Sequence, residues 1–256
     1  MVMWWHPLTS GATPGGPNAN DLINQIINES FLIDSVLGLT GANKSFGGEI
    51  DSVRIGLMGY SLGGLTITLA TCHPRLRDRR IKVASIAGPS AALTTEFCQS
   101  TAISFLMIGG TLDAPVDFYA NAAVISQRVT NSALLRINGG THLGFSSLAE
   151  PLFRLMNHLD GLGCTALLSN LEEDPNAIFI ALGTEADGIV LDPNIPAVCQ
   201  TMSSEKSLHP GEQHMITQIA LLSFFESSFV EDVAVRDQPN CITVIPWHLG
   251  RSDSKV

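Results

Sequence analysis

The stretch that most constrains this chain is Val53-Arg-Ile-Gly-Leu-Met-Gly-Tyr-Ser-Leu-Gly-Gly64. Val53 to Met58 is short and apolar, as a buried strand is. Gly59-Tyr60-Ser61-Leu62-Gly63 follows, a G-x-S-x-G pattern, and Leu65 to Ala70 is compatible with a helix. A serine between a strand and a helix occupies a sharp turn. Glycines at 59 and 63 would remove side chains that collide there, so that the Ser61 hydroxyl projects from the sheet edge. The Leu62 N–H would then lie at a helix N-terminus, aimed where a tetrahedral oxyanion forms. As a bare pattern, G-x-S-x-G arises by chance in a chain containing glycine and serine. The strand before it and the helix-compatible run after it select Ser61 as a nucleophile.

The flanking sequence supplies the scaffold for such a turn. Val2 to Trp5 reads as a truncated strand and residues 9–20 as loop, being rich in turn formers. Asp21 stands where an N-cap would stand. Leu22, Ile26, Ile33 and Leu37 then keep a helical period that Gly38 and Gly41 end, and a loop from Gly41 to Asp51 leads on. Ile81–Ala87, Ala102–Ile108 and Ser132–Ile137 read as further apolar strands. Val116–Arg128, Ser147–Leu159 and Gly211–Phe229 read as helices. Strands and helices alternate with short connections, which predicts an α/β fold with a mostly parallel sheet and helices on both faces. Residues 1–234 are expected to form one domain. Within it, 160–210 reads as an irregular acidic insertion and 211–229 as the C-terminal helix, with 235–256 as a tail.

A serine hydroxyl becomes a nucleophile only when a base takes its proton, and an imidazole base needs an acceptor that fixes its tautomer. Asp113 lies just beyond the predicted strand 102–108, and His142 just beyond 132–137. In a parallel sheet those strand ends share one edge with Ser61. The other six histidines lack that setting: His158, His209 and His214 fall in or beside helices, and His6, His73 and His248 follow no strand downstream of the serine. Gly139 and Gly140 allow a tight loop under His142. Asp117 competes with Asp113, but it lies farther from the strand end and is placed to begin or cap a helix. Ser61, Asp113 and His142 are thus the candidate catalytic residues, with Leu62 and Tyr60 beside the acyl site.

Composition narrows the partners. With 256 residues and 45% apolar content the chain can bury one sizeable core. The formal charge of −10 repels phosphate backbones and argues against nucleic acid. No apolar run reaches the length of a membrane span, and no signal peptide is visible at the N-terminus. The five cysteines contain no C-x-x-C pair, so no metal site is expected. Cys164 and Cys199 flank the polar insertion and are candidates for a bridge, although sequence does not fix connectivity. The basic run His73 to Lys82 reads as a solvated connection rather than an anion site. The acids Glu172-Glu-Asp174, Glu185, Asp187 and Asp192 lack the spacing of a calcium loop and read as exposed carboxylates.

The order Ser61, Asp113, His142 with Gly-Tyr-Ser-Leu-Gly-Gly resembles the α/β-hydrolase superfamily. Within it the chain is similar to the bacterial predicted dienelactone hydrolases, relatives of platelet-activating-factor acetylhydrolases and polyester hydrolases. His6 to Pro17, Thr71-Cys-His-Pro-Arg-Leu-Arg77, Ile86-Ala-Gly-Pro89 and Gly140-Thr-His-Leu-Gly-Phe145 carry the likeness. It implies carboxylic-ester hydrolysis without a cofactor, on a small or polymeric ester, in a bacterial cytoplasm or outside the cell. It also implies several strands, and usually a His-Gly loop donating a second oxyanion N–H, ahead of Ser61. None is legible here. The chain therefore reads either as N-terminally shortened or as one that draws a substitute from elsewhere, such as a partner subunit. The matching expectations are an oxyanion hole with the Leu62 donor alone and an apolar sheet edge open to self-association. The alternative function is a catalytically silent hydrolase-like domain that acts by binding.

Overall fold

Four apolar segments pair side by side in one parallel sheet, β1 (Ile55–Tyr60), β2 (Ile81–Ile86), β3 (Phe105–Gly110) and β4 (Ser132–Ile137), in the order β1-β2-β3-β4. The computed structural model describes residues 21–40, 50–98, 103–147, 149, 158–170 and 176–229. The segment Val2–Trp5, the loop at 9–20, the loop residues 41–49, most of the helix expected at 147–159, Glu172-Glu-Asp174, Cys241 and the tail 235–256 lie outside the described residues.

Side-chain alternation along the strands divides the interior into two layers. Val83, Phe105 and Met107 face one side, where they pack with Leu22, Ile26 and Ile33 of helix α1 (Leu22–Leu37), Leu65 and Leu69 of α2 (Leu62–Cys72), and Ile125 of α4 (Ala122–Arg128). The four-residue α3 (Thr95–Cys98) adds Phe97 and Cys98 to this layer. Ala84, Ile86, Leu106, Ile108 and Leu135 face the other side. Ala220, Ile216, Phe224 and Phe225 cover them. These four residues belong to the last helix, Pro210–Phe229, here α7. Helices thus lie on both faces of a parallel sheet, as the sequence predicts.

Element boundaries shift for local reasons. β1 starts at Ile55, not Val53, because the Asp51 carboxylate accepts the Val53 N–H at 3.0 Å and holds a turn there. Its flanks are also less buried than a central strand's: Val53 is 67% and Met58 54% exposed, and among the described residues β2 is the one strand that pairs with it. β3 continues to Gly110, whose missing side chain lets the loop after β4 approach; a Cβ there would stand 2.4 Å from the Gly140 carbonyl. α4 begins at Ala122 because Asp117 builds its own turn first, accepting the Ala120 N–H at 2.8 Å. Asp21 precedes α1 but caps no backbone N–H; its carboxylate accepts the Asn24 side-chain amide at 2.8 Å.

The stretch 160–210 differs most from its irregular reading. It holds α5 (Asp160–Asn170) and α6 (Ala177–Leu182), and a disulfide joins Cys164 to Cys199. Closing a loop of 35 residues stabilises a fold by about 3–4 kcal/mol on the chain-entropy account. α5 is therefore fixed by a covalent link and a buried acid rather than by an apolar stripe, which is why periodicity does not reveal it. Two exposed acids of this stretch serve local turns: Asp187 accepts from Thr184, and Asp192 from Asn194. In the basic run, Arg80 pairs with Asp78 and Asp34, and His73 is buried with Nδ1 accepting the Arg75 and Leu76 N–H groups. Cys72 and Cys98 are free and buried; the neighbouring Cys98 thiol, and then burial, hold the Cys72 thiol well above its ordinary pKa. Among the described residues no helix is long and apolar enough to cross a membrane, and no group of three or more His, Cys, Asp or Glu is placed to hold a metal ion.

The glycines of the serine motif have separate jobs. A Cβ at Gly59 would lie 2.2 Å from the Gly63 carbonyl oxygen, and one at Gly64 would lie 2.9 Å from Gly88 Cα, so both admit backbone against backbone. Gly63 faces open space, contrary to the expectation that its own side chain would collide. Gly64→Ala should therefore destabilise the chain by about 1–3 kcal/mol. Gly63→Ala, inside the first turn of α2, should leave stability unchanged or raise it by up to about 1 kcal/mol. Urea denaturation of the two variants checks both.

Candidate active site

Ser61 follows β1 and precedes the first residue of α2 with φ 56° and ψ −122°, a conformation that side-chain-bearing residues rarely adopt. It is held there from both sides: its N–H donates to the Ile86 carbonyl at 2.9 Å, and its carbonyl accepts from the Leu65 N–H at 3.1 Å. Such a conformation persists only where the surroundings over-determine it. Leu62 supplies the first N–H of α2, where a helix leaves its amides without intrahelical partners.

The other two residues come from the next strand ends on the same edge. Asp113 follows β3 and is buried; its Oδ1 accepts the Val116 N–H at 2.7 Å. His142 follows β4 and is also buried. Its Nδ1 lies 2.8 Å and 3.0 Å from the two Asp113 carboxylate oxygens, and its Nε2 lies 3.0 Å from Ser61 Oγ. The structure thus brings Ser61, His142 and Asp113 into one hydrogen-bonded chain. Asp117 stays out of it, committed to the turn before α4.

The loop between β4 and His142 is shaped for this reach. Gly139 has φ +75°, donates to Thr111 Oγ1 at 2.9 Å and accepts from the Leu208 N–H at 2.8 Å. Gln213 of α7 pairs with both backbone groups of Thr141, its Oε1 accepting the N–H at 3.1 Å and its Nε2 donating to the carbonyl at 2.8 Å. Tyr60 also braces the histidine. Its ring packs 4.9 Å from the His142 ring, and its hydroxyl donates to the His142 carbonyl at 2.9 Å. Burial, and after it the Asp113 and Asp160 charges, keep the Tyr60 hydroxyl protonated and donating.

Asp160 and Gln213 are the groups that sequence reasoning missed. Asp160, the first residue of α5, is fully buried and accepts the backbone N–H groups of Ala114, His142 and Leu143 at 2.9–3.0 Å. The available signal was a lone acid between Leu159 and Gly161 at the start of a helix, which sequence alone does not separate from an ordinary N-terminal acid.

The electrostatics follow from that placement. Burial alone would lower the His142 pKa. The Asp113 charge and hydrogen bond, and then the Asp160 charge, outweigh it, so the imidazole lies above its ordinary value of 6.5. Burial raises the Asp113 carboxyl, and His142 offsets only part of the rise.

The architecture resembles that of an α/β-hydrolase core. Strand order, the strained serine turn and helices on both faces carry that reading. No family model and no curated protein matches the chain. Among solved structures the chain is similar to the Est1E protein of Butyrivibrio proteoclasticus, at 17% identity and a TM-score of 0.35, over 47% of this chain and 62% of that one. It is similar to the esterase domain of a Rhodothermus marinus protein at 17% identity and a TM-score of 0.31, over 49% and 59%. An Agrobacterium tumefaciens protein of unknown function, described as a candidate α/β hydrolase, matches at 17% identity and a TM-score of 0.31, over 60% and 82%. The chain thus spans about three fifths of the first two relatives. The loop that would carry a second oxyanion donor is not among the described residues before Ser61, which form α1, its C-terminal turn and β1 with the turn leading into it. A groove of about 590 Å³ lies between His73, Glu96, Phe97 and Asp187; it includes none of the three residues and is not the acyl site.

Two outcomes test this geometry. In an NMR titration His142 should deprotonate with a midpoint above 6.5, and Asp113→Ala should move that midpoint down, because burial then acts against fewer opposing charges. Tyr60→Phe should cost about 1–2 kcal/mol in urea denaturation, since it leaves the His142 carbonyl without its donor.

Proposed function

We propose that the chain is a serine carboxylic-ester hydrolase. The observation that supports this most is the continuous contact from Asp113 through His142 to Ser61 Oγ, with the serine on a strained turn ahead of a helix. In this reading Ser61 Oγ attacks the acyl carbonyl while His142 Nε2 takes its proton. Nδ1–H donates to Asp113 and holds the imidazole in the tautomer that leaves Nε2 as acceptor. The Leu62 N–H faces the developing oxyanion. As the tetrahedral intermediate collapses, His142 returns the proton to the leaving alcohol. Water, deprotonated by the same imidazole, then resolves the acyl-enzyme. Reaction requires neutral His142, so the rate is lost as pH falls through its raised pKa. The net negative, apolar-rich chain suits a neutral or apolar ester, small or polymeric.

One observation favours a second reading. Met58, at 54% exposed, lies on a β1 that pairs with β2 alone among the described residues, which suits a catalytically silent domain that joins another copy through this edge.

Labelling with a fluorophosphonate probe, with the modified peptide located by mass spectrometry, separates the two. The hydrolase reading expects an adduct on Ser61, none in Ser61→Ala, and a labelling rate about 10⁴-fold lower in Asp113→Ala. Folded protein that takes no label and elutes as a dimer would establish the binding reading instead.

A further inference from the structure

We propose that Asp160 and the Cys164–Cys199 disulfide form one clamp that positions the Asp113 and His142 loops for reaction at Ser61. The inference rests on the serine-hydrolase reading and extends it to residues outside the three that react.

The clamp is a closed circuit. Asp160 Oδ2 accepts the Ala114 N–H at 3.0 Å and the His142 N–H at 2.9 Å, and Oδ1 accepts the Leu143 N–H at 2.9 Å. One carboxylate, 0% exposed, therefore holds the loop after β3 and the loop after β4 together. One helical turn along α5, Cys164 is bonded to Cys199. The Cys199 N–H returns to the Ala114 carbonyl at 3.0 Å. Ala114, the neighbour of Asp113, is thus held at its amide by Asp160 and at its carbonyl by Cys199, and those two residues are joined through α5 and the disulfide. Cys199 sits at φ 64°, a conformation maintained only where the surroundings fix the backbone.

A carboxylate suits this place better than a neutral acceptor. Its two oxygens receive three N–H donors without offering a hydrogen of their own. Its charge also adds to that of Asp113 in favouring protonated His142. The groups facing His142 are Asp113 from the loop after β3, Asp160 from α5, and Tyr60 and Ser61 from the end of β1. An asparagine at 160 would keep the shape, remove the charge and turn an NH₂ group toward a backbone N–H. The expected result is a displaced acid–base pair, and small displacements at a reacting centre cost roughly 100-fold in rate.

The test uses the full chain, Asp160→Asn, and the double variant Cys164→Ser/Cys199→Ser. Two quantities are read: the His142 titration midpoint by NMR, which needs no turnover, and the rate of fluorophosphonate labelling of Ser61 across pH. Asp160→Asn should shift the midpoint to lower pH and slow labelling roughly 10- to 100-fold with its circular dichroism unchanged. The double variant should slow labelling about tenfold and shift the midpoint in the same direction as the Asp113 loop loosens. Should Asp160→Asn not fold, the double variant decides alone. Folded variants that match the parent in both readouts overturn the clamp while a labelled Ser61 leaves the hydrolase reading standing. A parent that takes no label removes the hydrolase reading and, with it, the clamp's part in reaction, even where the midpoint shifts in the variants.

Discussion

The site depends on one long reach. Ser61 stands at the end of β1 and His142 follows β4, so three strand intervals separate them, about 14 Å at the usual spacing. Yet His142 Nε2 lies 3.0 Å from Ser61 Oγ. The loop after β4 has to lean back across the ends of β3 and β2, and nearly every polar group around the site helps it do so. Gly139 turns the chain, Gly110 clears its path over β3, Gln213 grips Thr141, and Tyr60 reaches up from β1 to the His142 carbonyl. A loop of ordinary residues would leave buried amides and carbonyls without partners here, at a cost of about 1–3 kcal/mol each.

The same crowding sets the chemistry. An imidazole removed from water would lose its proton too readily to rest in contact with a hydroxyl as a base of near-neutral strength. Two buried carboxylates counter that tendency from two directions, one in contact with Nδ1 and one beneath the backbone of the same residue. They occupy different elements, and the peptide groups around Asp160 hold its carboxylate by hydrogen bonding, with no cation beside it in these contacts. That arrangement supplies charge without a competing partner that could draw the proton away from the site.

Most of the framework was legible in the sequence, and the reasons are physical. The apolar runs that became β2 and β3 mark strands buried on both faces, and the glycine-flanked serine between strand and helix has few other uses. Placing Asp113 and His142 needed only the rule that parallel strands present their C-terminal ends on one edge. What stayed hidden was everything that acts through backbone amides. Asp160 looks like any acid at a helix start, and Gln213 looks like a polar position on an amphipathic helix, because a hydrogen bond to a peptide group leaves no pattern in either partner's sequence. Tyr60 was legible as a neighbour of the serine, but its role toward His142 depends on the lean of a loop 82 residues away. The close approach expected at Gly63 falls at Gly64 for a similar reason: it is made by Gly88, just after β2, which local reading does not bring alongside.

The lateral reach of the histidine loop has a mechanical corollary. When reacting groups sit on adjacent strands, flexing of a sheet moves them together and their spacing is preserved. Here the serine and its base are carried by the two outer strands of the described sheet. A small change in coil between neighbouring strands accumulates across three intervals before it arrives at the contact between Oγ and Nε2. In the proposed hydrolase, a perturbation far from the site, such as a second chain laid against β1, would alter that spacing and with it the reactivity of one hydroxyl.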